Sequence, residues 1–428
     1  MRYNLTRTSV TLPSVSDAHF GRDAPTSRMN LLIHSHYFAP SVGGVESVVL
    51  SLASGISEFR TLNGDREFHV TVVTETAAGS YDDRRLPFRI VRRPGFFQLL
   101  QLVRESDIIH AAGPALLPMF LAWTLRKRFV VEHHGYQAIS PNVILLYQPD
   151  RSICSGYFQS GRYGECFKCL QSEIPSGWAA AKRLLLMFPR NWLSRAASLN
   201  LAITNHVKDR HKLRRTSVVY YGIEDPLPSR IASVPSQKLC IAYVGRLVPE
   251  KGVPVLLEAA KILKAEGHEF EVRLIGDGGE RSKLENIIHT EELESCTTIT
   301  GFLTGHAFAS ALQDVNVVVM PSMWEETAGL AAIEQMMRGR VVIAADIGGL
   351  TEVLGDTGLK FPPGNAVSLA DCLRSLIENP ALMGSYGQKA RSRALQFFQR
   401  SKMLTEHAQI YRHDHQSEVQ ARESSPAR

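Results

Sequence analysis

From Met29 to about Arg412 the chain alternates short β-branched and apolar runs with stretches of helical periodicity, and this alternation limits its possible folds most. The runs in the front half are Leu31–Ser35, His69–Thr74, Phe88–Val91, Asp107–Ala111, Phe129–Glu132 and Leu199–Thr204. Those in the back half are Cys240–Val244, Glu271–Ile275, Thr297–Thr300, Val315–Met320 and Val341–Ala345. Many are apolar on both faces, as strands of a covered parallel sheet must be. Helical patterns such as Val45–Ile56, Val253–Ala265, Arg281–Ile288 and Leu330–Arg338 lie between them. Strand–helix repetition predicts an α/β fold with doubly wound sheets. Roughly a dozen strands exceed what one twisted sheet holds comfortably, so two Rossmann-like domains facing a cleft are expected. The joint falls near Tyr221–Pro228, where Gly222, Pro226 and Pro228 break both periodicities.

On this reading residues 1–28 are a disordered extension, 29–222 the first domain and 223–396 the second. Residues 397–412 form a helix that packs back on the first domain, and 413–428 form a disordered tail. Residues about 142–180 interrupt the alternation as an insertion holding Cys154, Cys166 and Cys169. A composition of 44% hydrophobic and 21% charged residues excludes disordered and collagen-like classes. The longest apolar run, Pro114–Leu125, is too short to span a bilayer and reads as a buried or interfacial helix. The first 28 residues lack the apolar core of a secretory signal. Six cysteines in 428 residues do not make a disulfide framework, which favours a reducing, cytoplasmic setting.

Charge is uneven: residues 29–222 carry +9 and residues 223–412 carry −4. A basic front half suits an anionic partner or simply a solvated surface. Two basic and apolar stretches, Arg84–Leu100 and Lys182–Arg190, suit docking on an anionic membrane surface, or equally a core helix with a basic outer face. No nucleic-acid recognition motif is present.

Four turns follow strands and open helices, where backbone N–H groups are free for an anion. Phe38–Glu46 contains Gly43 and Gly44; alone it reads as a tight turn as readily as a phosphate-facing loop. In Gly245–Gly252, Arg246 and Lys251 flank a turn and could converge on one polyphosphate. In Pro321–Glu334, Glu326 and Glu334 are eight residues apart. A mostly helical span of that length covers roughly 12 Å, about the reach needed to touch both ends of a nucleoside diphosphate sugar. They read equally as an N-terminal and a surface glutamate. The fourth turn, Val341–Glu352, ends in Gly348-Gly349.

In this order, GRLVPEKG, LIGDGGE, GFLTG, PSMWEETAGLAAIE and ADIGGLTEVL resemble a GT-B retaining glycosyltransferase of family 4, the glycosyl transferases group 1. The Phe38–Glu46 loop and the Val131–Gly135 strand end match as well. The resemblance implies transfer of a sugar from a nucleotide-sugar donor to a glycan or lipid-linked acceptor, with retention at the anomeric carbon. It implies that Arg246 and Lys251 grip the diphosphate, that Glu334 binds the ribose, and that Glu326 faces the donor sugar. It brings His134 to the reacting sugar, Gly43 and Gly44 to the diphosphate and acceptor, and Phe302 and Leu303 to the nucleobase. Thr327, Ala328, Gly329 and Leu330 complete the donor loop, with Thr327 where the family carries glycine.

No Asp-x-Asp pair occurs, so the cations are expected to do the neutralising that a metal ion does elsewhere. No cofactor beyond the nucleotide-sugar co-substrate is implied. Cys154, Cys166 and Cys169 leave open zinc binding or plain thiols. Rival readings are a sugar-nucleotide epimerase, a glycogen-type synthase and a non-catalytic nucleotide-sugar-binding subunit.

Overall fold

The computed structural model describes residues 28–226, apart from Val42 and Ser80, and 239–423, with side chains up to His413. The expected extension at 1–28, except Arg28, and part of the expected joint lie outside the described residues.

The first sheet is built from β1 (Met29–Ser35), β2 (Phe68–Thr74), β3 (Arg89–Arg92), β4 (Ile108–Ala112), β5 (Arg128–His133), and, after a small hairpin of β6 (Leu146–Tyr147) and β7 (Ser152–Ile153), β8 (Leu199–Ala202) and β9 (Thr216–Val218). The second comprises β10 (Leu239–Val244), β11 (Phe270–Ile275), β12 (Thr297–Gly301), β13 (Val317–Met320), β14 (Val341–Ala345) and β15 (Leu359–Phe361). Their orders are β3-β2-β1-β4-β5-β8-β9 and β12-β11-β10-β13-β14-β15. Strand pairing is parallel throughout both sheets. Each is a doubly wound α/β sheet, so the described residues form two Rossmann-like domains.

The apolar runs become central strands because both faces are covered. Leu32, Ile33, Val72, Ile109, Val130 and Val131 are essentially inaccessible to solvent. Burying each such side chain contributes about 2 kcal/mol before the cost of ordering it. The short edge strands β9 and β15 escaped the sequence reading, because three residues cannot show a period.

The orders reverse between β1 and β4 in the first sheet and between β10 and β13 in the second. Crevices outside the carboxyl ends of strands at such reversals are where ligands bind in open α/β sheets. The loops there are Phe38–Glu46, Gly245–Gly252 and Pro321–Gly329.

Two chain crossings join the lobes. Ile223 N–H donates to the Phe398 carbonyl and Arg400 N–H to the Ile223 carbonyl, both at 2.9 Å. The last helix runs Arg400–Glu423, beyond the end expected at Arg412, since its Gln-, Glu- and Ala-containing sequence has no helix breaker there. It packs on the helix Gly44–Ile56 of the first lobe. Arg400 Nε meets Ser51 Oγ at 2.9 Å, and Arg412 forms a bidentate pair with the fully buried Glu67 at 2.6 and 2.8 Å.

Candidate active site

The second lobe supplies most of the cleft. Beyond β10 the Tyr243 hydroxyl donates to the Arg246 carbonyl at 2.6 Å and fixes the turn. The Arg246 guanidinium is 71% exposed, with only a loose 3.8 Å approach to Glu250. Lys251 closes a short 3₁₀ turn, Pro249–Lys251, and Gly252 follows at φ +66°. A Cβ on Gly252 would strike the Pro321 carbonyl, so the β10 turn and the β13 loop touch backbone to backbone.

That contact brings Lys251 Nζ to Glu326 Oε1 at 2.5 Å, with Ser322 Oγ donating to the same oxygen at 2.7 Å. The ammonium also lies 5.6 Å from the centre of the Trp324 ring. Burial would raise the Glu326 carboxyl, but Lys251 and Ser322 outweigh it and hold it below the ordinary carboxylate value. Glu326 is therefore ionised at neutral pH.

The helical span expected between the two glutamates is only half helical. The helix is Leu330–Met337, and its cap Gly329 is left-handed at φ +78°. Glu326 precedes the cap in an extended loop, because Lys251 and Ser322 hold its carboxylate there. Glu334 sits one turn into the helix, half buried. Burial pushes its carboxyl up against the weaker opposing pull of Arg338. Phe302, beyond β12, is 62% exposed, whereas Leu303 packs against the core.

Thr327, which the family pattern replaces with glycine, joins the lobes. Its hydroxyl donates to the His134 carbonyl at 3.0 Å, and its own carbonyl accepts from Thr204 Oγ1 at 2.7 Å. Ala328 is buried in the core. Leu330 approaches the first-lobe turn, 3.5 Å from where a Cβ on Gly44 would stand. Gly43 caps its helix in an extended conformation, with the Glu46 carboxylate folded over it.

His134 faces its own lobe. Its ring is 2% exposed and turned into the first lobe, with Nδ1 2.9 Å from the Tyr221 hydroxyl and Nε2 3.3 Å from Glu132 Oε2. Only its backbone carbonyl meets the second lobe. Glu132 and His134 alternate with His133 along the strand end, so the two side chains share the face covered by the C-terminal helix.

The cysteines of the insertion are buried thiols. Burial pushes Cys166 up to about 12 and Cys169 upward as well, so both are neutral at pH 7. Cys169 Sγ accepts from Asn142 Nδ2 and the Gln148 N–H, both at 3.4 Å, which is a packing role. Among the described residues, the one cluster able to hold a metal is His110, Glu132 and His407.

Sequence reasoning missed the residues that tie the lobes together. Arg210 Nε meets Glu325 Oε2 at 2.9 Å, and the Tyr136 hydroxyl donates to the Glu325 carbonyl at 3.0 Å. Glu352 accepts from the Asn205 and His206 N–H groups at 2.8 Å and from the Tyr220 hydroxyl at 2.6 Å. No local pattern could have shown them, since the partners lie more than 100 residues apart.

Comparison with known proteins bears on the fold and on the second lobe. Residues 229–393 match the family described as Glycosyl transferases group 1. The chain is similar to the alpha-D-kanosaminyltransferase of Streptomyces kanamyceticus, 34% identical over 35% of this chain and 39% of the relative. It is similar to the D-inositol 3-phosphate glycosyltransferase of Arthrobacter sp. (strain FB24), 31% identical over 40% of this chain and 42% of the relative. The chain thus spans about two fifths of the length of these curated relatives. Among solved structures, Anabaena Alr3699/HepE in complex with UDP and glucose superposes with a TM-score of 0.66 at 19% identity, covering 90% of this chain and 99% of that one. Residues 229–393 are therefore similar to the Glycosyl transferases group 1 family, and the chain as a whole has the GT-B fold.

Proposed function

We propose that the protein is a retaining glycosyltransferase that moves a hexose-type sugar from a nucleotide-sugar donor to a glycan or lipid-linked acceptor, in cell-surface polysaccharide or glycolipid synthesis. The observation that carries this reading is the grouping of an exposed Arg246 with the Lys251–Glu326 pair at the strand reversal of the second sheet. The neighbour HepE, in complex with UDP and glucose, and the named transferases among the relatives support it.

The chain's own groups suffice for a metal-independent step. Arg246 is free to reach a diphosphate and neutralise charge as the glycosidic bond breaks. Lys251 would share its ammonium between Glu326 and the phosphate. Ionised Glu326 would accept hydrogen bonds from sugar hydroxyls, and Glu334 from the ribose. Phe302 offers an open face for the base. With no carboxylate nucleophile assigned, the acceptor attacks from the face the diphosphate leaves, and the diphosphate takes its proton. His134 acts at most by holding the Thr327 loop through its carbonyl.

The first lobe would rest on an anionic membrane face from the cytoplasmic side. Ten of the exposed large apolar side chains fall on four neighbouring helices, Phe96–Glu105, Leu116–Thr124, Gly177–Leu185 and Met187–Ala196, together with the short junction at Leu186. Trp123 and Trp192 meet there edge to face at 4.7 Å, and Arg126, Lys182, Arg183 and Arg195 border them. No described helix is long and apolar enough to cross a membrane. Co-sedimentation with phosphatidylglycerol vesicles is expected and should fall with added salt; equal binding to neutral vesicles would remove this placement.

A thermal-shift screen against UDP-, GDP- and ADP-sugars tests the donor site. One class should raise the melting temperature, and Glu334→Ala should abolish that shift. A shift retained in the variant would move the donor elsewhere. Labelled donor then separates transfer from epimerisation. Binding without transfer over a broad acceptor panel would favour a non-catalytic subunit.

A further inference from the structure

Beneath the first lobe's sheet end, three imidazoles converge on one carboxylate. His110 comes from β4, Glu132 from β5, and His407 from the last helix. Their side chains are 0–2% exposed, and one ligand atom from each lies within 4.8 Å of the others. His110 Nε2 is 3.2 Å from Glu132 Oε2, and His407 Nε2 is 3.6 Å from Oε1. His134 Nε2 stands 3.3 Å from Oε2. Tetrahedral zinc with bonds of about 2.0–2.1 Å separates its ligands by about 3.3 Å.

The outer ring nitrogens are already engaged. His407 Nδ1 is 2.9 Å from the Met403 carbonyl, which can only accept, so Nδ1 carries the proton. In the neutral tautomer His407 Nε2 then points a lone pair at a carboxylate. His110 Nδ1 lies 3.0 Å from the Tyr411 hydroxyl and His134 Nδ1 2.9 Å from the Tyr221 hydroxyl. Such outer partners orient imidazole ligands around a metal. His134 Nε2 and His407 Nε2 are buried and have no hydrogen-bond partner. Buried polar atoms without partners are rare and costly. A cation between His110, His407 and the carboxylate answers the buried His407 Nε2.

We propose that His110, Glu132 and His407 bind a divalent transition metal of the zinc class, with both Glu132 oxygens facing it. Imidazole and carboxylate donors suit zinc or cobalt over magnesium or calcium. The ion joins β4 and β5 to the last helix and fastens that helix to the first lobe. It belongs to the opposite lobe from Arg246 and Lys251, so it is structural and separate from the transfer step.

The site is closed to solvent, so loading accompanies folding. Full-length protein from zinc-supplemented medium should carry about one zinc per chain by mass spectrometry of the native protein. Protein unfolded with chelator and refolded with Co²⁺ should show the visible absorption of four-coordinate cobalt and melt several degrees higher than protein refolded without metal. His407→Gln should lose both signals. If that variant does not fold, the wild-type cobalt spectrum and zinc content decide. Wild-type protein that holds no zinc, takes up no cobalt and melts identically either way overturns the proposal. The cluster would then be a hydrogen-bonded network closed by a proton.

Discussion

Gly43-Gly44 follows β1 in the first lobe and Gly348-Gly349 follows β14 in the second, and the two pairs look alike in the sequence. Around Gly348-Gly349 the space is full. A Cβ on Gly349 would strike the Thr327 carbonyl, and one on Gly348 the backbone of Glu325 and Glu326. Gly349 N–H also donates to the Glu326 carbonyl at 2.6 Å. Around Gly44 the nearest atom to an added Cβ is Leu330 Cδ2 at 3.5 Å, an ordinary contact. The second-lobe pair holds up the loop that carries Glu326 and Thr327. In the first-lobe pair Gly44 leaves room across the cleft, while Gly43 is covered by the flexible Glu46 side chain. A glycine pair in sequence thus marks a close approach without saying whether its partner is the protein's own backbone or a substrate.

The largest effect should come from Gly349→Ala. Backbone on backbone cannot yield as a flexible side chain can, so a loss of about 3 kcal/mol is expected. A denaturation midpoint within error of wild type would show the turn to be looser than described. A smaller effect is expected from Glu352→Gln, three residues further on. Burial raises the Glu352 carboxyl, but the Tyr220 hydroxyl and the Asn205 and His206 N–H groups outweigh it and leave it below its ordinary value of 4.5. A depressed acid contributes fully above its unfolded value and loses that contribution as pH falls through the folded one. The variant should cost about 1 kcal/mol at pH 7, and its deficit should shrink below pH 4. A deficit independent of pH would assign the loss to packing. Gly44→Ala should be the mildest, stabilising the helix Gly44–Ile56 by about 0.5 kcal/mol. If it nonetheless abolishes sugar transfer, the open turn is where acceptor or diphosphate passes.

The same contrast explains what could be read from the residues alone. Val253–Ala265 and Val341–Ala345 end where their periods end, because local pattern decides both. The strand-end turns were legible because a strand, a glycine and a helix start are consecutive. Lys251 and Glu326 were each singled out, but for separate tasks. Their pairing depends on Gly252 touching Pro321, a contact 69 residues away. The direction of the His134 ring depends on Tyr221, 87 residues further along the chain. Alternation along β5 places Glu132 and His134 on one face, but not what covers it. Glu352 stood in a quoted motif, and its partners Asn205 and Tyr220 lie across the cleft.

The two crossings at Ile223 and Phe398–Arg400 run side by side between the lobes. The two hydrogen bonds at 2.9 Å tie both passages of the chain along one axis between the lobes. Gly222 sits on that axis, where a Cβ would strike the Gln399 carbonyl and Met403. A side chain at that position would have to force the two passages apart, so the seam between the lobes closes only around a bare backbone.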